Sequence, residues 1–286
     1  MPPPRILVIA GSDSSGGAGI QADIKTITMI GGYAMTAITA ITAQNTLGVT
    51  AVEVLSPELI AAQIDACVSD IGVDAVKIGM LGSPAIAAVV AERLEALSVP
   101  VVFDPVMIAT SGAALADAAT IAGFERLMQL ATLTTPNLPE LAKLSNRPSF
   151  ENELEAEDAA AEVMERSGCK AMLVKGGHWP DGMVYGKTDS GLPHKATTDE
   201  ILFDALFTLN NGNWQSWSFH HKRIHTRHTH GTGCTLSSAI ATYLGKGLPL
   251  PEAVDRARLF VRSALRAAPG FGAGNGPLGH QAVRAG

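Results

Sequence analysis

The chain is poor in cysteine, lacks an excess of positive charge and has no long apolar run. The three cysteines among 286 residues, Cys67, Cys169 and Cys234, are odd in number and unclustered. That fits neither a disulfide framework nor a Cys-based zinc site and points to a reducing, cytoplasmic setting. With 21 Lys+Arg against 27 Asp+Glu the formal net charge is -6. No overall positive field exists to hold a nucleic-acid backbone or an anionic membrane surface, so any phosphate recognition has to be local. Ile6 to Ala10 is too short for a membrane span, and it runs into Gly11-Ser12-Asp13-Ser14-Ser15, unlike a signal peptide. With 47% hydrophobic and 17% charged residues the chain reads as soluble and able to bury a large core.

What the chain does have is strands and helices trading places. Strands are expected over 5–10, 37–42, 75–78, 100–103, 132–134 and 171–174. Helices are expected over the Ile20/Ile24/Ile27 stripe, over Ile60 to Ile71, over 85–97, 119–130 and 151–167, and over two closing stripes, Leu236 to Leu244 and Val254 to Leu265. This alternation predicts an α/β fold with a mostly parallel central sheet, helices on both faces and ligands beyond the carboxyl ends of the strands. No domain boundary stands out, so residues 1–286 read as one domain. Turn signals between Trp179 and Phe219 interrupt the rhythm and predict a hairpin-like excursion.

The loops that follow the strands carry the chemistry. Gly11 to Gly19 lacks the Lys-Ser/Thr of a Walker loop, and no acid follows in the second strand for a nucleotide ribose, so it shapes either another kind of pocket or only a tight turn. His230-Gly231-Thr232-Gly233-Cys234 precedes a clear helix. The amides of Gly231, Thr232 and Gly233 could form an anion hole, and Cys234 in the first helical turn would be favoured as thiolate by the dipole. Asp104 and Glu140 follow strand ends, where carboxylates hold Mg²⁺ beside a nucleotide or simply cap helices and turns. Lys175, ahead of two glycines, suits nucleotide phosphates or a solvated strand end. Gln44 has the donor and acceptor needed to read a heterocycle edge, with Met80 and Met107 as soft neighbours of a flat ring or as core. The run His220, His221, His225, His228 and His230 matches no zinc spacing, and most of these histidines read as exposed strand residues.

Taken in order, Gly11 to Asp23, Ala43-Gln44-Asn45, Val76 to Leu81, Asp104-Pro105-Val106-Met107, Thr135-Pro136-Asn137 and His230 to Thr235 resemble the hydroxymethylpyrimidine/phosphomethylpyrimidine kinases of thiamin biosynthesis, in the ribokinase-like superfamily. The resemblance implies a three-layer α/β fold, ATP and Mg²⁺ as cofactors, a homodimer, and phosphorylation of 4-amino-5-hydroxymethyl-2-methylpyrimidine or its monophosphate. It implies that Gln44 pairs with the pyrimidine, enclosed by the backbone around Ala18 and by Asp23, Met80 and Met107. It implies too that Asn137 and Glu140 serve Mg²⁺ and phosphate placement, that Lys175 lies near the nucleotide, and that Cys234 activates the acceptor oxygen. Thr110 stands where some relatives have lysine, His228 replaces a usual asparagine, and residues 179–219 are unlike the family. A pyridoxine or pyridoxal kinase is the rival within the class, and a non-catalytic pyrimidine-binding module the rival outside it.

Overall fold

The computed structural model describes residues 2–108, 115–178, 201–210 and 212–283. Thr110 and the segment from Trp179 to residue 200 therefore lie outside the described residues. Nine strands form one sheet: β1 (Arg5–Asp13), β2 (Tyr33–Gln44), β3 (Val49–Val54), β4 (Ala75–Ile78), β5 (Val101–Phe103), β6 (Leu133–Thr134), β7 (Ala171–Val174), β8 (Ile201–Asn210) and β9 (Asn213–Lys222). Their spatial order is β3-β2-β1-β4-β5-β6-β7-β8-β9. From β2 to β7 every neighbouring pair is parallel, while β3 at one edge and β8 and β9 at the other run antiparallel.

The centre of this sheet explains the continuous apolar runs in the sequence. Ile6, Leu7, Val8 and Ile9 are all fully buried, because helices cover both faces of a parallel sheet. Leu7 and Ile9 point into one core, shared with α2 (Pro57–Ala66), α3 (Pro84–Glu95), α5 (Phe124–Leu130), α6 (Leu138–Leu144) and α7 (Glu153–Ser167). Ile6 and Val8 point into a second core, against α1 (Gly19–Met29), α8 (Thr232–Gly245) and α9 (Leu250–Arg266). The period-two alternation of a strand thus divides one run of five apolar residues between two layers.

Local signals set the helix starts. Ser56 and Ser83 cap α2 and α3 with their side chains, each followed by proline at the first helical position. Asn137 and Glu140 cap α6 reciprocally, Asn137 Oδ1 accepting from the Glu140 amide and Glu140 Oε2 from the Asn137 amide.

Several expectations are corrected. The helix expected over 119–130 is two, α4 (Ala118–Ala122) and α5, broken at Gly123, where an added Cβ would stand 3.2 Å from the Thr120 carbonyl oxygen. The stripe from Ile60 to Ile71 ends in a wider turn over Cys67–Ile71. Strand β3 and helix α6 are additional elements. Between 201 and 222 the expected excursion is a regular hairpin, paired residue for residue, that extends the sheet beyond β7.

Candidate active site

Because β1, β4, β5, β6 and β7 run parallel, the residues after them meet along one edge of the sheet. The start of α8 closes the space over that edge, and the result is a cavity of about 660 Å³. Its walls include Gln44, Ala18, Met80 and Met107 from the sequence-predicted acceptor set, and Gly231, Thr232, Gly233, Cys234, Lys175, Asn137, Asp104 and Glu140 from the phosphate and metal set. Met107 contributes from a fully buried position. Asp23 is the exception. It is wholly buried on the inner face of α1, with Oδ2 accepting from Lys77 Nζ at 2.9 Å and Oδ1 from the Ser238 hydroxyl at 2.6 Å, so its carboxylate does not form cavity wall.

At one end of the cavity the two glycine-rich loops interlock. The Asp13 carboxylate accepts from the amides of Ser15, Gly17 and Ala18 at 2.8, 3.1 and 2.8 Å, and from His230 Nε2 at 2.9 Å. These partners outweigh the cost of burial and hold its carboxyl below the usual carboxylate range. The Gln44 amide nitrogen lies 3.3 Å from the same His230 nitrogen. His230 is therefore a buried cavity residue rather than an exposed strand residue. His221, on β9, is also turned inward, its Nδ1 accepting from Arg258 at 2.9 Å.

The helix that carries Cys234 begins after Gly231, whose φ of +84° is open to glycine at little cost. A Cβ there would also overlap the Gly17 carbonyl. Of the three amides expected to face an anion, that of Thr232 is turned back onto the Thr229 carbonyl at 3.2 Å, closing a tight turn. The amides of Gly233 and Cys234 have no backbone acceptor among the described residues. The Gly231 amide likewise has no backbone acceptor among the described residues, so Gly231, Gly233 and Cys234 leave N–H groups free at the start of α8, while Thr232 does not.

The thiol itself departs from expectation. Burial pushes Cys234 up to about 11, with Asp23 and Asp104 adding to the rise, while Lys77 and the Gly19 amide act against it. Desolvation here outweighs the helix dipole, so the unliganded group is a thiol at neutral pH.

Lys175 sits between the two acids, 2.7 Å from Asp104 Oδ1 and 3.7 Å from Glu140 Oε2. Burial works against its charge, yet Asp104 and Glu140 prevail and raise its pKa. Glu140 is pushed up to about 7 by burial, with Lys175 pulling the other way. Thr135 donates to Asp104 Oδ1 at 3.1 Å. The donor set suits a hard divalent cation. Two carboxylates on one wall, completed by water and phosphate oxygens, are what Mg²⁺ commonly takes, with the Lys175 ammonium near enough to share the same phosphates.

Further along, Arg258 on α9 donates to Asp204 on β8 at 2.9 Å and to the Phe219 carbonyl on β9 at 3.1 Å. Asp204 in turn accepts from the Gly176 amide at 2.9 Å, next to Lys175. The hairpin is thereby tied to the strand end that carries the lysine.

The model for phosphomethylpyrimidine kinases matches residues 13–279. The chain belongs to the phosphomethylpyrimidine kinase family. It is a kinase with the mostly parallel α/β architecture of that family. The hydroxymethylpyrimidine/phosphomethylpyrimidine kinase of Rhizobium meliloti is 46% identical over 279 residues, 96% of each chain. The thiamine biosynthesis bifunctional protein of Geobacter sulfurreducens is 43% identical over 280 residues, 96% of this chain and 52% of that protein, so the chain spans about half of its length. Among solved structures, an ADP complex of Bacillus subtilis pyridoxal kinase superposes with a TM-score of 0.80 at 32% identity, covering 98% of both chains. No helix among the described residues is long and apolar enough to cross a membrane.

The sequence did not single out Asp13, Lys77 or Arg258. Lys77 left a signal: it is the one charged residue in Ala75–Ile78, an otherwise apolar central strand. Asp13 left none, since an acid among serines and glycines reads as a turn-former.

Proposed function

We propose that this cavity transfers the γ-phosphoryl group of ATP to the hydroxymethyl oxygen of 4-amino-5-hydroxymethyl-2-methylpyrimidine, or to the phosphate of its monophosphate. The observation that carries the reading is the juxtaposition, on one cavity wall, of Cys234, the free amides opening α8 and the Asp104/Lys175/Glu140 cluster. The acceptor oxygen attacks the γ-phosphorus, the bond to the β-γ bridging oxygen breaks, and its electron pair leaves with ADP. The free amides and the Lys175 ammonium offset charge on the migrating group, and positioning supplies most of the acceleration. Cys234 holds the acceptor hydroxyl by hydrogen bonding as a thiol. As a thiolate it is basic enough to take the hydroxyl proton.

Asp104 and Glu140 are the residues that would hold Mg²⁺, which when bound neutralises phosphate charge. Gln44 reads the amino group and ring nitrogen of the pyrimidine, against Met80, Met107 and the backbone at Ala18. The likeness to a pyridoxal kinase over 98% of both chains supports a second acceptor, a pyridoxine-type ring with the same hydroxymethyl arm. We further infer a single domain over residues 1–286, acting as a homodimer in the cytoplasm.

Mass spectrometry of the products formed from ATP with each acceptor tests the reading. Phosphorylated pyrimidine as the favoured product supports it, and its peaks report one or two transfers. Turnover of pyridoxal alone, or ATP consumption without phosphorylated product, overturns it.

A further inference from the structure

Beneath the cavity floor lies a charged chain that the proposed reaction does not yet use. Lys77, in the middle of β4, has a side chain that is 0% exposed, and so has its partner Asp23 on α1. Ser238 donates to the other oxygen of Asp23. Ser238 stands four residues after Cys234 on α8, hence on the same face of that helix one turn below the thiol. The place of the ammonium is narrowly defined: a Cβ at Gly79 would stand 2.8 Å from Lys77 Nζ and 3.1 Å from the Ala10 side chain. Among the described residues the ammonium makes one hydrogen bond, to Asp23, and Lys77 is part of the cavity wall.

A buried ion pair is weak evidence for stability, since well-packed apolar residues commonly serve the core as well or better. A lysine kept under the thiol, with donors to spare, fits an electrostatic task. We propose that Lys77 is a positioning residue of the phosphoryl-transfer site: held in place by Asp23 and Ser238, its ammonium is the fixed counter-charge to the sulfur of Cys234. The inference rests on the function proposed above and gives the sulfur a partner within the fold.

Four charged groups act on that sulfur through their fields. Lys77 from β4 and Lys175 from beyond β7 favour the thiolate, whereas Asp23 from α1 and Asp104 from beyond β5 disfavour it. The Gly19 amide adds a donor to the sulfur. The two members of the Lys77–Asp23 pair therefore pull Cys234 in opposite directions, and a loss of packing alone would not reproduce this.

The test is the rate at which iodoacetamide alkylates Cys234 in the full chain, without ATP or acceptor, from pH 7 to 10, with peptide mass spectrometry separating it from Cys67 and Cys169. Lys77→Met is expected to slow Cys234 alkylation at pH 8 by about tenfold, one unit of midpoint shift. Lys77→Arg restores most of the rate, and Asp23→Asn raises it at least about threefold, with Cys67 unchanged throughout. A folded Lys77→Met chain whose Cys234 reacts at the wild-type rate or faster overturns the proposal. If Lys77→Met fails to fold, Asp23→Asn decides: a faster Cys234 supports the counter-charge, and an unchanged or slower one refutes it. Product formation does not enter this readout, so its outcome is separable from that of the kinase reading.

Discussion

His230 and Asp13 lock the two glycine-rich loops together through one bond of 2.9 Å between buried side chains. A carboxylate only accepts, so the histidine nitrogen that faces Asp13 carries the proton and cannot also accept from Gln44. The Gln44 NH2 is thus left for a ligand, while its Oε1 accepts from the Thr42 hydroxyl at 3.2 Å. Asp13→Asn keeps the shape but weakens at once the contacts with the Ser15, Gly17 and Ala18 amides and with His230. It is expected to lower kcat/KM by about tenfold to a hundredfold, or ~1.4 to 2.7 kcal/mol, together with Tm. Steady-state kinetics and thermal unfolding check this, and wild-type values in both would show that the clamp is idle.

Gln44→Ala should weaken pyrimidine affinity by roughly 1 to 3 kcal/mol, because a heterocycle edge loses paired partners while the cavity keeps its shape. Calorimetric titration measures it directly. Equal affinity in the variant would remove Gln44 from the acceptor site.

Arg258 and Asp204 are both buried, and Arg258 also holds the Phe219 carbonyl. Arg258→Met leaves the Asp204 carboxylate, among the described residues, with the Gly176 amide alone, at a cost of about 3 to 5 kcal/mol. Pairing it with Asp204→Asn should recover much of that loss. Urea unfolding of the single and double variants shows whether the two residues act as one unit.

Acidification gives a fourth prediction. Burial lowers His280 and His221 from 6.5 to about 4 each. Between these limits the two histidines bind protons in the unfolded chain and not in the native one, so their contribution to stability rises with pH across the window and is lost as pH drops from 6.5 towards 4. Glu140 and Glu153, pushed up to about 7 by burial, act with the opposite sign over the same window, so the histidine contribution is read as the difference in the slope of Tm against pH between wild type and variant. His280→Asn, which keeps a polar partner for the Thr235 hydroxyl, should lower that slope, and an unchanged slope would show that His280 does not contribute.

The legible parts of this molecule are those where one local signal suffices. Ile6 to Ala10 announces a doubly covered strand, the glycines at 231 and 233 announce a helix start, and Asp104 and Glu140 follow strand ends that topology brings together. What stayed hidden depends on residues distant in sequence. The break between α4 and α5 falls at Gly123, inside a stretch whose periodicity reads as one helix. The thiol of Cys234 rises because the fold buries it, with Asp23 and Asp104 from other elements adding to the rise. Asp23, five residues from the cavity residue Ala18 along the chain, is turned inward by Lys77, 54 residues away. Composition and spacing carry no trace of such encounters. The charge of Lys77 within an apolar strand comes nearest to betraying one.

The central claim is that Cys234, at the opening of α8, addresses the acceptor oxygen while the neighbouring amides hold the moving phosphoryl group. Turnover of hydroxymethylpyrimidine by Cys234→Ala, with ATP affinity measured on the same preparation, tests it most directly. The expected result is a fall in kcat on the order of 10² or more with ATP binding preserved. Wild-type turnover in that variant would contradict the account.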